Sequence, residues 1–162
     1  MKKYLLSICL LLATTIGLNA QTGTGIVAQI NSPYTFMPTT VDSTTTITVQ
    51  FNNNVIANNT ITFTGLSSAF STSVSSLVIA ANDSATIDIS FTPTSTGNFS
   101  DTLHWNALPY GFGSLALNGE GVQVVISTST DTVDFGGLSL GNSASNIFTI
   151  YNNGTGTMNV SS

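Results

Sequence analysis

The stretch Ser84-Ala85-Thr86-Ile87-Asp88-Ile89-Ser90-Phe91-Thr92-Pro93-Thr94-Ser95-Thr96-Gly97-Asn98-Phe99-Ser100-Asp101-Thr102-Leu103 decides the fold. Ile87, Ile89 and Phe91 alternate with Thr86, Asp88 and Ser90. Successive side chains of a strand point to opposite faces, so this run reads as a strand with one face inward. Pro93 ends it by removing a donor, and Gly97 supplies the positive φ of the turn into the Phe99 strand.

The same pattern extends in both directions. Ile47, Val49 and Phe51 alternate with Thr46, Thr48 and Gln50, and Ile61 and Phe63 with Thr60, Thr62 and Thr64. Leu103 and Trp105 alternate with Thr102 and His104, and Leu115 and Leu117 with Ser114, Ala116 and Asn118. Turn chemistry separates the runs. Asn52-Asn53-Asn54 and Asn58-Asn59 tolerate left-handed backbone, and Ala81-Asn82-Asp83-Ser84 is a polar turn. Short strands with a turn signal every 8–12 residues or so predict an all-β sandwich or barrel. No helical apolar period is sustained after residue 20.

The N-terminus reads as an export signal. Lys2 and Lys3 precede the uncharged apolar run Tyr4–Leu18, and Leu18-Asn19-Ala20 offers a small residue at the cleavage position before Gln21. The run is short of the about 20 apolar residues that span a bilayer. The expectation is a secreted chain with no membrane insertion. Removing residues 1–20 removes Lys2, Lys3 and the single cysteine, Cys9, so the formal charge of −5 becomes −7. Without Lys or Arg the mature chain has no means of binding nucleic acid. Without Cys, disulfides contribute nothing, and an apolar core must supply the stability. The seven acids also have no Lys or Arg to pair with. Mutual repulsion then predicts stability that is flat or rises slightly from pH 7 to about 4.

An internal repeat organises the rest. A shift of 99 residues puts Phe36 on Phe135, Val41 on Leu140, Val49 on Phe148 and Phe51 on Ile150. Asn53 falls on Asn152, Asn54 on Asn153 and Ile61 on Val160, without a gap. The reading is a signal peptide (1–20), one immunoglobulin-like β-sandwich (21–122) and the opening of a second copy (123–162), with further domains of the same polypeptide expected.

Two segments carry a resemblance. Residues 84–103, with Phe91, Pro93-Thr94, Gly97 and Phe99-Ser100 at the marked positions, and the end Leu117-Asn118-Gly119-Glu120-Gly121 form the first. Val133-Asp134-Phe135-Gly136, Leu140-Gly141 and Asn152-Asn153-Gly154-Thr155-Gly156 form the second. Together they resemble the abnormal-spindle/hydin-type immunoglobulin-like repeats of bacterial secreted proteins, the choice-of-anchor group. The first copy departs at Met37, Pro38 and Val55, where the second has Gly136, Gly137 and Gly154. The resemblance implies a module for spacing, adhesion or protein contact, without catalytic residues or a cofactor.

Few side chains suggest chemistry. His104, the only histidine, falls on the outer face, with no second His or Cys to share a metal. Asp101 would point inward by alternation, where an unpaired carboxylate is costly; a β-bulge or a solvated sheet edge accounts for it better than a calcium site, which needs six to eight oxygens. Asp131 and Asp134 suit hydrogen bonds to turn amides better than a junction calcium. In Trp105-Asn106-Ala107-Leu108-Pro109-Tyr110-Gly111-Phe112-Gly113 the rings of Tyr110 and Phe112 either close the sandwich end or contact a ligand. No nucleophile and base are spaced for catalysis, and no acid pair suggests a glycosidase. The expected function is a non-catalytic extracellular spacer or protein-interaction module. The alternative is a carbohydrate-binding or adhesin module attached to an extracellular enzyme.

Overall fold

The computed structural model describes residues 25–67 and 69–161; residues 1–20, read as an export signal with Lys2, Lys3 and Cys9, lie outside the described residues. Twelve strands follow in chain order: β1 (Ile26–Ala28), β2 (Tyr34–Thr35), β3 (Thr39–Thr40), β4 (Thr45–Asn53), β5 (Asn59–Thr64), β6 (Phe70–Thr72), β7 (Ser76–Ile79), β8 (Ser84–Phe91), β9 (Gly97–Asn106), β10 (Phe112–Val122), β11 (Ile126–Thr128) and β12 (Ile150–Asn152). No described residue is helical.

Two sheets make the sandwich. One has the order β1-β4-β8-β6. The other runs β2-β10-β9-β5-β7, with β3 also on β10. Each strand read from alternation is present, and its inward residues meet in one core: Val49, Phe51, Ile61, Phe63, Ile87, Ile89, Phe91, Leu103, Trp105, Leu115 and Leu117 are all buried. Phe91 is fully buried, its ring stacked on Phe70 at 4.8 Å and flanked by Phe36 and Phe99 at 5.6 Å each. Gly97 has φ +119, as the turn after Pro93 requires.

Two turn readings need correction. The described non-glycine residues with positive φ are Asp42 and Asn82, and none of Asn52, Asn53, Asn54, Asn58 or Asn59 is left-handed. Asn53 works through its side chain instead. Its carboxamide, 1% exposed, accepts from the Val55 amide (3.1 Å) and donates to the carbonyls of Ala57 (2.9 Å), Ile79 (3.2 Å) and Ala80 (2.9 Å). Asn59 is a strand residue, paired with Ile79 and buried.

After Val122 the chain forms the β11–β12 pair, with Ile126 opposite Asn152 and Thr128 opposite Ile150. Phe135, Phe148, Ile150 and Val160, which the 99-residue shift places on core residues, are exposed.

Candidate functional site

The aromatic connection between β9 and β10 is a tight turn. The Ala107 amide donates to Gly111 O (2.8 Å) and the Tyr110 amide to Ala107 O (2.9 Å). Asn106 Oδ1 accepts from the Leu108 amide at 3.0 Å. Ala107 is buried, and the Ile26 amide donates to Tyr110 O at 3.2 Å. The backbone therefore closes this end of the sandwich, while Tyr110 and Phe112 remain 39% and 53% exposed. The closing role and the exposed rings thus belong to different atoms of one segment. Gly25 joins this turn to the next, because a Cβ there would meet both Tyr110 O and Val55 Cγ2. Beside Val55 stands Ile56, 88% exposed, and Leu108 is 66% exposed. Sequence reasoning missed Ile56 and Leu108, since a lone apolar residue in a turn has no periodicity to mark it.

Asp101 takes a structural part. The β9–β10 register is unbroken from Gly97 to Asn106, so there is no bulge at this position. β5 leaves β9 after Thr64, and the loop that follows folds back over Asp101. Oδ2 accepts from the Ser67 amide (2.7 Å) and the Ser67 hydroxyl (2.8 Å), and Oδ1 from the Thr102 amide (2.7 Å). The carboxylate stands at a sheet edge, as expected, but it is half-buried and tied to a loop. Burial raises its pKa, yet the Ser67 and Thr102 hydrogen bonds and the nearby His104 outweigh that and hold it below the ordinary value.

His104 is on the outer face, packed against Gly65. Asp134 Oδ1 accepts from the Gly136 amide at 2.8 Å, a turn-amide bond of the kind expected, and Asp131 is exposed. Among the described residues no three His, Cys, Asp or Glu converge as for a metal ion, and no helix is long and apolar enough to cross a membrane. A cavity of about 360 Å³ lies between Phe36, Pro38, Phe99 and Gly119, with Glu120 at its lining. Alternation alone does not reveal it, because it opens where the chain passes from β2 to β3.

The model of the Cep192 domain 8 family matches residues 21–122. The chain belongs to that family. The match takes in both sheets of the sandwich. Among solved structures, the ASH/PapD-like domain of human CEP192 (PapD-like domain 7) is similar at 15% identity and TM-score 0.55, over 62% of this chain and 87% of that one. A protein of unknown function from Porphyromonas gingivalis W83 is similar at 14% identity and TM-score 0.52, over 66% and 56%. A family 123 glycoside hydrolase from Clostridium perfringens is similar at 12% identity and TM-score 0.54, over 63% of this chain but 28% of the hydrolase. No curated protein matches. These likenesses establish the ASH/PapD-like immunoglobulin-like fold of this Cep192 domain 8 relative.

Proposed function

We propose that this chain is a non-catalytic protein-interaction and spacer module, exported through a cleaved leader and part of a larger secreted or surface polypeptide of bacterial type. The observation that carries the reading is the family match over residues 21–122. The use of the half-buried carboxylate supports it: the Asp101 oxygens accept from the Ser67 amide and hydroxyl and the Thr102 amide, a structural role that ties a loop to β9. The absence of Lys and Arg after Lys3 favours partners other than nucleic acid. Residues 123–162 are read as the opening of a second unit, and the Asn152 turn supports this by reproducing the Asn53 turn: each side chain accepts from the amide two residues on and donates to the carbonyl four residues on.

The export reading is tested by expressing the intact chain in a secreting bacterial host and measuring the mass of the released protein. A species beginning at Gln21 is expected; full-length precursor retained in the cells would refute it. The alternative, a carbohydrate-binding module, draws on the exposure of Tyr110 and Phe112 beside one another at one end of the sandwich. Glycan-array binding that disappears in Tyr110→Ala would favour it over the spacer reading.

A further inference from the structure

In the first unit Gly25 O accepts from the Asn54 amide at 2.7 Å and Ile26 pairs with Asn53. Beyond Val122, Val125 O accepts from the Asn153 amide at 2.7 Å and Ile126 pairs with Asn152. The two turns also exchange a small and a large residue. Gly25 makes room for Val55, whose Cγ2 would be 2.7 Å from a Cβ at that glycine. In the second turn the glycine is Gly154 and the residue at the Gly25 place is Val125; a Cβ at Gly154 would meet the Gln123 carbonyl oxygen first and the Val125 amide nitrogen at 2.6 Å.

The second turn holds something more. The Gly156 amide donates to Gln123 O (2.9 Å), the Gln123 amide to Thr155 Oγ1 (3.2 Å), and the Val125 amide to Asn152 Oδ1 (3.3 Å). A Cβ at Gly154 would run into the backbone of Gln123 and Val125, and one at Gly156 would sit tightly against Gln123 C at 3.1 Å and Val124 N at 3.2 Å. The preceding residue, Val122, is buried in the first sandwich, and its carbonyl accepts from the Val41 amide at 2.9 Å. The last residue bonded into one unit and the first bonded into the next are therefore neighbours in the chain. A flexible joint needs a run of residues with free dihedrals, and none separates these two. In the first unit the matching positions are Val55, Ile56 and Ala57, which offer neither the hydroxyl acceptor nor a backbone free of Cβ.

We infer that the Asn152–Gly156 turn is a clamp on residues 123–125 that joins successive units stiffly, so that the module sets a distance and an orientation rather than tethering loosely. The inference rests on the reading of residues 123–162 as a second unit. It is tested by electron–electron distance measurement on spin labels at Thr86→Cys and Thr128→Cys, in the full chain with Cys9→Ser. One narrow distance distribution is expected. Gly154→Val, which forces a side chain into the Gln123–Val125 backbone, is expected to widen it by about twofold or more, and Thr155→Val to widen it less. Trp105 emission checks that the first unit is intact in each variant, and hydrogen exchange of the Gly156 amide reads the clamp directly. A broad distribution in the parent, with β11 and β12 amides protected, overturns the stiffness alone. Unprotected β11 and β12 amides in the parent overturn the clamp and the second-unit reading together. A distribution that stays narrow in Gly154→Val, with the Gly156 amide still protected, also overturns the clamp.

Discussion

Phe91 and Gly119 are the pair on which the packing of the sandwich can be tested most sharply. Phe91 is fully buried and boxed in by Phe70, Phe36 and Phe99. Gly119, opposite Phe99 on β10, faces its ring: a Cβ there would lie 2.6 Å from Cε1 and Cζ and 2.9 Å from Cδ1. With a ring on three sides, Phe91 has no direction in which to yield. Gly119→Ala should therefore cost about 1–3 kcal/mol as an overpacked core. Phe91→Ala removes the ring and leaves a cavity, at about 3–5 kcal/mol. In the double variant the new methyl occupies part of that cavity, so the total should fall short of the sum by about 1–3 kcal/mol. Small domains have roughly 5–15 kcal/mol in all, so Phe91→Leu, the milder truncation, keeps the cycle measurable if Phe91→Ala unfolds. The assay is urea denaturation followed by the emission of Trp105, the only tryptophan, 2% exposed against Phe51. Additive costs, or a neutral Gly119→Ala, would refute the placement of the Phe91 ring against β10.

Three further outcomes follow from named contacts. Because the folded pKa of Asp101 is held down, its contribution is present above the unfolded carboxylate value of about 3.9 and is lost as pH falls through the folded one; denaturant midpoints should hold from pH 7 to about 4 and drop below that, and Asp101→Asn should remove the drop and unprotect the Ser67 amide to hydrogen exchange. Asn53→Ala removes hydrogen bonds to three carbonyls and one amide and should cost roughly 2–4 kcal/mol, whereas Asn54→Ala, exposed beside it, should cost well under half of that in the same melts. Gly97→Ala meets no atom within 4 Å but must adopt φ +119, so it should lose roughly 1–2 kcal/mol to backbone strain without altering the Trp105 emission maximum of the folded state.

The acid-stability expectation from the seven carboxylates gains a lower limit once Asp101 is placed: flat from pH 7 to about 4, then a loss below that. Repulsion among acids is visible in composition, and a carboxylate in a local turn such as Asp134 is visible in sequence, but one bonded to a distant loop is not. Ser67 and Asp101 are 34 residues apart, and they meet because β5 departs from β9 after Thr64 and its loop turns back over the exposed edge. The Tyr110–Phe112 segment was legible as aromatic and as a connection. The split between a backbone that closes the sandwich and rings that face outward depends on Ile26 donating to Tyr110 O, a bond across the whole domain. The short strands β1, β2, β3, β6 and β7 have too few residues for an alternation to register, so they became visible only through the partners they pair with.

Alternation of Ile87, Ile89 and Phe91, the stop at Pro93 and the left-handed turn at Gly97 are properties of neighbouring residues, and the sequence alone determined them. It determined likewise which side chains of the long strands β4, β5, β8, β9 and β10 enter the core, because the period of a strand sends one set of residues to one face. Which face each strand presents to which partner is a different matter. The Asn53 carboxamide serving the Ile79 and Ala80 carbonyls, the approach of Gly25 to Val55 and of Gly154 to the backbone of Gln123 and Val125, and the carboxylate of Asp101 under the Ser67 loop all join residues far apart in the chain. Tertiary structure alone decided them, because such contacts exist only after two sheets have closed on one another and brought distant backbone within hydrogen-bond reach.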